Sequence, residues 1–263
     1  MGSLLLLHEL TRIEAREVAR DGIVILPVGA TEQHGPHLPT GTDAFAIEQI
    51  ARLAAEGVDL DVPIVVAPTL PFGSSHHHLP FGGTMSLGTE TYYQVITDLV
   101  ESLIMGGWGQ IVIINGHGGN HEIIQVVARD LALKHPASIA AFSYWHPSWR
   151  SLTEVGAHDI APFPGHAGQF ETSLMMALRP DLVREPRPHR DGSFAVDAQT
   201  YAPLVRVETH GSWQQMDGYT DSPDLGTAEN GTTYLEVIVR DVARVLVEFH
   251  AATGNRPREH NRD

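Results

Sequence analysis

Residues 22–57 read GIVILPVGATEQHGPHLPTGTDAFAIEQIARLAAEG, a strand, a polar loop and a helix in succession. The apolar run Gly22 to Val28 is too short for a helix and predicts a buried strand. From Thr42, apolar residues recur at helical spacing (Phe45, Ile47, Ile50, Leu53) until Gly57 stops the pattern. The same alternation extends outward from this unit. Strands are expected at Ile64–Ala67, Gln110–Ile114 and Ser138–Ser143, and helices at Thr89–Met105, Asn120–Lys134 and Ala167–Leu178. Such a βαβα rhythm predicts an α/β fold with a mostly parallel central sheet and helices on both faces. Leu204–Val207 adds a candidate edge strand, Thr227–Ala252 a last long helix, and the polar residues 255–263 a frayed tail. No repeat, low-complexity segment or linker divides the chain, so one domain over residues 1–263 is expected.

Composition narrows the chemistry. With 17 basic and 32 acidic side chains the 263 residues carry a formal charge of −15, which argues against a nucleic-acid partner. Without cysteine there is no thiolate nucleophile, disulfide or cysteine-held metal. Lys134 is the only lysine, so Schiff-base chemistry would rest on that residue alone. Against these scarcities stand 16 histidines, and chemistry must run on imidazole and carboxylate. No apolar run reaches the roughly 18–20 residues of a membrane-spanning helix. Leu4–Leu7 is too short for a signal-peptide core, and Met1-Gly2 followed by Leu6 is not an acylation motif. A cytoplasmic protein without membrane contact is the expectation.

Sheets of this kind bind ligands beyond the carboxyl ends of their strands. Four predicted strands are each followed by polar residues able to bind a ligand: Glu32, His34 and His37; then His76, His77 and His78; then Asn115, His117 and Asn120; then Trp145 and His146. A carboxylate and an imidazole two residues apart, as Glu32 and His34 are, can face one centre or two adjacent ones. Asp43 could cap the helix that starts beside it or bridge two ions. Taken together, Glu32, His34 and Asp43 favour metal binding, and their mixed nitrogen and oxygen donors suit zinc, manganese or iron(II) over calcium or magnesium.

The loop Asn115-Gly116-His117-Gly118-Gly119-Asn120 lacks the lysine and spacing of a phosphate loop and the glycine spacing of a dinucleotide fingerprint. His117 as a third metal ligand fits better, with a capping turn as the plain alternative. In Gly165–Ser173, His166 stands where the chain enters a helix, whose positive end would lower its pKa and suit a neutral general base. Glu171 is either a ligand, an orienting partner of one, or a first-turn glutamate that complements the dipole. Read as a strand-like run, His76-His77-His78 points to alternating faces, so at most His76 and His78 share a site. His78 is expected to face substrate, and Trp145 to wall a pocket. No Gly-x-Ser-x-Gly elbow occurs.

Glu32-Gln33-His34-Gly35-Pro36-His37-Leu38-Pro39 with Asp43, Asn115–Asn120, and His166 through Leu174 together resemble the creatininase family of metal-dependent amidohydrolases. Glu9-Leu10-Thr11 and Gly83–Leu87 are similar to it as well. The resemblance implies a three-layer α/β/α fold, two divalent metals (zinc, or manganese or iron(II)), hydrolysis at a carbonyl of a small molecule, and a homohexamer. It assigns one metal to Glu32 and His117, the other to His34, with Asp43 between them and His166 transferring protons. Creatininase has a glutamate ligand two residues beyond the histidine that matches His117, where this chain has Gly119, preceded by Gly118. Glu171 is the candidate replacement, and it joins His166 as a candidate catalytic residue. Gly118 and Gly119 become candidate substrate contacts. Creatininase also has a pocket tryptophan where this chain has Pro162, which points away from creatinine. The activities implied are cleavage of a cyclic amide, formamide or peptide-like bond, with opening of a cyclic diketone as the alternative. A non-catalytic metal- or small-molecule-binding module is the reading outside enzymology.

Overall fold

Ile23–Val28 and Gln110–Asn115 are buried at every position, because each strand is covered on both faces. Their side chains divide by the two-residue period of a strand. Ile23 and Ile25 enter one core with Val112 and Ile114, while Val24, Leu26 and Val28 enter the other with Ile111 and Ile113. The computed structural model describes residues 4–159, 161, 164–191 and 209–254. Its elements in chain order are β1 (Leu5–Leu6), α1 (Arg12–Val18), β2 (Ile23–Val28), α2 (Thr42–Gly57), β3 (Ile64–Val66), α3 (Thr89–Met105), β4 (Gln110–Asn115), α4 (His121–Lys134), β5 (Ser138–Ser143), α5 (Trp145–Glu154), α6 (Gln169–Leu178), α7 (Ser212–Gln215) and α8 (Ala228–Thr253).

The five strands pair in the order β1-β3-β2-β4-β5, all parallel. Helices α2, α5, α6 and α8 cover one face through Ile47, Ile50, Leu152, Phe170, Leu174 and Ile238. Helices α3 and α4 cover the other through Tyr92, Ile96, Val100, Ile124, Val127 and Leu131. The result is the three-layer α/β/α arrangement expected of the sequence. Each fully buried Ile or Val contributes about 1.5–3 kcal/mol relative to exposure, so the two cores hold the sheet on which the loops are mounted.

The register places the strand ends level. Val28 pairs with Asn115, and Asn115 with Ser143, so the loops after β2, β4 and β5 start from one line. One strand differs from expectation. Leu5–Leu6 forms the edge strand β1 beside β3, in a stretch too short to show a period. Leu204–Val207, Pro162 and residues 255–263 lie outside the described residues. Among the described residues, no helix is long and apolar enough to cross a membrane.

Candidate metal centre and active site

Two asparagines fasten the loops that carry the site. Asn115, the last residue of β4, gives its amide N–H groups to the His117 carbonyl at 2.6 Å and to Ser143 Oγ at 2.8 Å, and its Oδ1 accepts from the His117 N–H at 3.0 Å. Asn120 donates to the Gly29 carbonyl at 3.0 Å and accepts from the Ser74 N–H at 3.0 Å. Four separate loops are thereby locked together by fully buried, satisfied amides. Gly119 is needed where the chain passes closest, because a Cβ there would overlap the Ser74 carbonyl oxygen and the His117 ring.

On this frame Glu32, His34, Asp43, His117, His166 and Glu171 converge, each buried. Asp43 stands in the first turn of α2, whose N-terminus receives no side-chain cap. Its two oxygens instead face two histidines: Oδ1 lies 3.1 Å from His34 Nε2, and Oδ2 lies 3.2 Å from His117 Nδ1. Glu171 Oε2 is 3.6 Å from His34 Nε2 and also accepts the Ala167 N–H at 2.6 Å. Glu32 Oε1 is 3.1 Å from His117 Nδ1 and 3.6 Å from His166 Nδ1. His34, Asp43 and Glu171 each offer a ligand atom within 4.8 Å of the others, and so do Glu32, His77 and His117, and also Glu32, His34 and His166.

The outward nitrogens set the inward ones. His34 Nδ1 is 3.1 Å from the Glu32 carbonyl, and His117 Nε2 is 3.1 Å from the Ser74 carbonyl. Donation to those carbonyls leaves His34 Nε2 and His117 Nδ1 as the atoms that face the carboxylates, where each carries either a proton or a metal. Both oxygens of Glu32 and Oδ2 of Asp43 are buried and receive no hydrogen bond. Buried carboxylate oxygens without partners are costly unless a cation balances them, and the donor set of imidazole and carboxylate fits a divalent metal.

Electrostatics agree. Burial disfavours a charged His34, yet the Asp43, Glu171 and Glu32 carboxylates outweigh it and push the ring up to about 10. For His117 burial is likewise outweighed, by Glu32 and Asp43. Burial, opposed by His34 and reinforced by Asp43, raises Glu171 to about 8. His166 goes the other way: burial and then the neighbouring His78 and His34 hold it well below the ordinary histidine value. The cause is therefore not the helix end, since α6 starts only at Gln169. Nε2 of His166 donates to the Gln33 carbonyl at 2.9 Å, leaving Nδ1 as the basic atom toward Glu32.

One local expectation is overturned. Residues His76–Phe81 form a 3₁₀ turn rather than an extended strand. Three residues per turn separate successive side chains by about 120° instead of 180°, so His77 and His78 both reach the site. His76 turns out to Ser86 Oγ at 2.8 Å. His78 Nδ1 accepts from the Gln33 amide at 2.8 Å, and the ring stacks on His166 at 4.1 Å. A cavity of about 120 Å³ opens beside these groups, lined among others by His77, Gly118, Gly119, Trp145, His166 and Trp213. Trp149, half-buried, packs against the core on one sheet face.

Three site residues escape sequence reasoning. Gln33 sits between Glu32 and His34 and looks like a spacer, but its amide joins His78 to the Gly218 carbonyl at 2.9 Å. His77 is hidden by the assumption of an extended chain. Trp213, edge-on to His78 at 4.5 Å and to His166 at 5.3 Å, comes from a segment without a readable pattern.

The sequence model of the Creatininase family, described as creatinine amidohydrolase, matches residues 8–246. The chain is 36% identical over 164 residues to the mycofactocin precursor peptide peptidase of Mycolicibacterium smegmatis, spanning 61% of this chain and 60% of that protein. It is 31% identical over 258 residues to the creatinine amidohydrolase of Pseudomonas putida, 89% of this chain and 92% of that one. It is 26% identical over 196 residues to the 3-dehydro-scyllo-inosose hydrolase of Thermotoga maritima, 72% and 59% of the two chains. Among solved structures, a manganese creatininase superposes with a TM-score of 0.75 at 28% identity over 94% of this chain and 98% of that one. A creatininase variant of Zn–Zn type gives 0.73 at 27%, with the same coverage. Matching motifs, matching fold and a match across nearly the whole length lead to one assignment: the chain belongs to the creatininase family.

Proposed function

We propose that this protein is a dinuclear metal-dependent hydrolase that cleaves the C–N bond of a cyclic amide, a formamide or a small peptide-like substrate. The observation that carries the reading is the single buried carboxylate of Asp43, one oxygen turned to His34 and the other to His117. Glu32, Asp43 and His117 would hold one ion, and His34, Asp43 and Glu171 the other, as zinc, manganese or iron(II). Divalent metal at such a site polarises a carbonyl and lowers the pKa of water from about 16 to roughly 7.

The chain's own residues supply the rest. His166, neutral and with Nδ1 free of a donor role, takes up a proton and returns it to the departing nitrogen. Glu171 Oε2 accepts the Ala167 N–H, which holds this carboxylate 3.6 Å from His34. Gln33 fixes the ring of His78, which faces the reacting end of the substrate together with Gly118 and Gly119. Trp145 and Trp213 bound the cavity and limit access of bulk water. The cavity of about 120 Å³ beside Glu32, Asp43 and His117 takes the scissile group of the substrate. The reading includes a homohexameric, cytoplasmic enzyme without nucleic-acid or membrane partners, its assembly measurable by light scattering.

Metal analysis of the purified protein, followed by hydrolysis of lactams, formamides and short peptides, tests the proposal. Bound metal with turnover of one of these classes is the expected result. The Thermotoga relative's name favours a second reading, hydrolytic ring opening of a cyclic diketone, which turnover of a diketone but no amide would support. A folded protein that binds no metal and turns over none of the panel would point to a binding module.

A further inference from the structure

Of the three groups of ligand atoms, the two that flank Asp43 are unequal. The His34 group has three donors from the chain, His34, Asp43 and Glu171, all fully buried or nearly so. Around Glu32 and His117, the loop that delivers His117 offers no other donor: Gly118 has no side chain, and at Gly119 a Cβ would overlap the Ser74 carbonyl. That same carbonyl, 3.1 Å from His117 Nε2, fixes which nitrogen faces inward. A further protein donor on this side must come from another loop.

The 3₁₀ turn after β3 brings one. A ring nitrogen of His77 lies within 4.8 Å of the ligand atoms of both Glu32 and His117. Its ring is parallel to that of His117 within 6°, at 5.9 Å between centroids. His78 at 4.2 Å and Trp213 at 5.2 Å pack against the His77 ring and restrict where it can turn. It is half-buried and lines the cavity beside Glu32 and His117.

We propose that His77 is a metal ligand, completing a two-imidazole, two-carboxylate set with His117, Glu32 and the shared Asp43. The inference rests on the two-metal reading above. A set with two nitrogens favours zinc over manganese, whereas the His34 set, with one nitrogen and two carboxylates, is the more tolerant of manganese. The centre would then load unlike ions from a mixture, with the nitrogen-rich position taking zinc.

The test uses the full-length protein, stripped by chelation and titrated with Zn²⁺ or Mn²⁺ against a chromophoric competitor, with X-ray absorption counting imidazoles around bound zinc. Wild type is expected to take up two zinc ions per chain. His77→Ala should keep one tight zinc and bind the second at least about 10–100-fold more weakly, with fewer imidazoles per zinc. His77→Glu should restore affinity with a shift toward manganese, and exposed His76→Ala should change nothing. Melting curves of the stripped proteins check folding, and His77→Gln replaces the alanine variant if that one unfolds. Two tight zinc ions and an unchanged imidazole count in a folded His77 variant would overturn the proposal alone. Wild type without divalent metal would overturn the two-metal reading with it.

Discussion

The two sides of Asp43 are built differently. On the Oδ1 side, His34, Asp43 and Glu171 come from the loop after β2 and from the first turns of α2 and α6, inside the layer packed on one sheet face. On the Oδ2 side, Glu32, His117 and His77 come from three loops at the sheet edge, where the cavity opens. Helix-mounted donors are held by the core, while loop-mounted donors rely on hydrogen bonds within and between loops, such as those of Asn115 and Asn120 and that of the Glu32 N–H to the Thr40 carbonyl. A helix-mounted position beside a loop-mounted one is an arrangement in which structural and reactive duties can be divided.

Changing the shared residue should have the largest effect. Asp43→Ala is expected to abolish loading on both sides, with turnover falling by at least about 10³-fold, since metal polarisation is worth several kcal/mol; metal content and rate check it together. Retention of both ions would dissolve the comparison. Next, His166→Ala should cost about 10²–10⁴-fold in kcat while metal content stays at the wild-type level, whereas His117→Ala should lose metal from the Oδ2 side only. A fully active His166→Ala would remove its proton-transfer role.

Stability experiments sharpen the contrast further. Asn115→Ala leaves buried backbone groups of the His117 loop unsatisfied, for an expected loss of about 1–3 kcal/mol in urea unfolding. A variant as stable as wild type would show that the loops are held by something else. The smallest effect concerns His37, buried against Thr172 Oγ1 at 2.8 Å. Burial, then the charges of His34 and Arg187, lower it to about 4. Its folded form is therefore neutral, so its contribution is complete above the ordinary value of 6.5 and is lost as pH falls from there through 4. At pH 5 the loss is up to about 2 kcal/mol, and His37→Gln should flatten that part of the stability–pH curve. An unchanged slope would rule His37 out as its source.

Much of this was legible in the residues. Runs such as Ile23–Val28 and Gln110–Asn115 could only be buried strands, and Thr42–Gly57 carried its period openly, so the parallel sheet followed. Glu32, His34, Asp43 and His117 were legible as well, because each stands directly after a strand or at the start of a helix, where position along the chain nearly equals position in space. Where that equivalence failed, so did the reading. His77 depended on a 3₁₀ turn that leaves no periodic trace in three consecutive histidines. Trp213 crosses from a distant segment, and sequence distance says nothing about which loop closes over which site.

Composition and pattern by themselves determined the layered sheet, the reliance on imidazole and carboxylate, and the edge at which these groups gather. Only the tertiary structure decided which nitrogen each histidine turns inward, that Asp43 faces two partners instead of capping its helix, and that burial among other imidazoles, rather than a helix end, keeps His166 neutral. Those choices depend on carbonyls and rings contributed by remote loops, and on the loss of water around them. Such terms exist only once the chain has closed on itself.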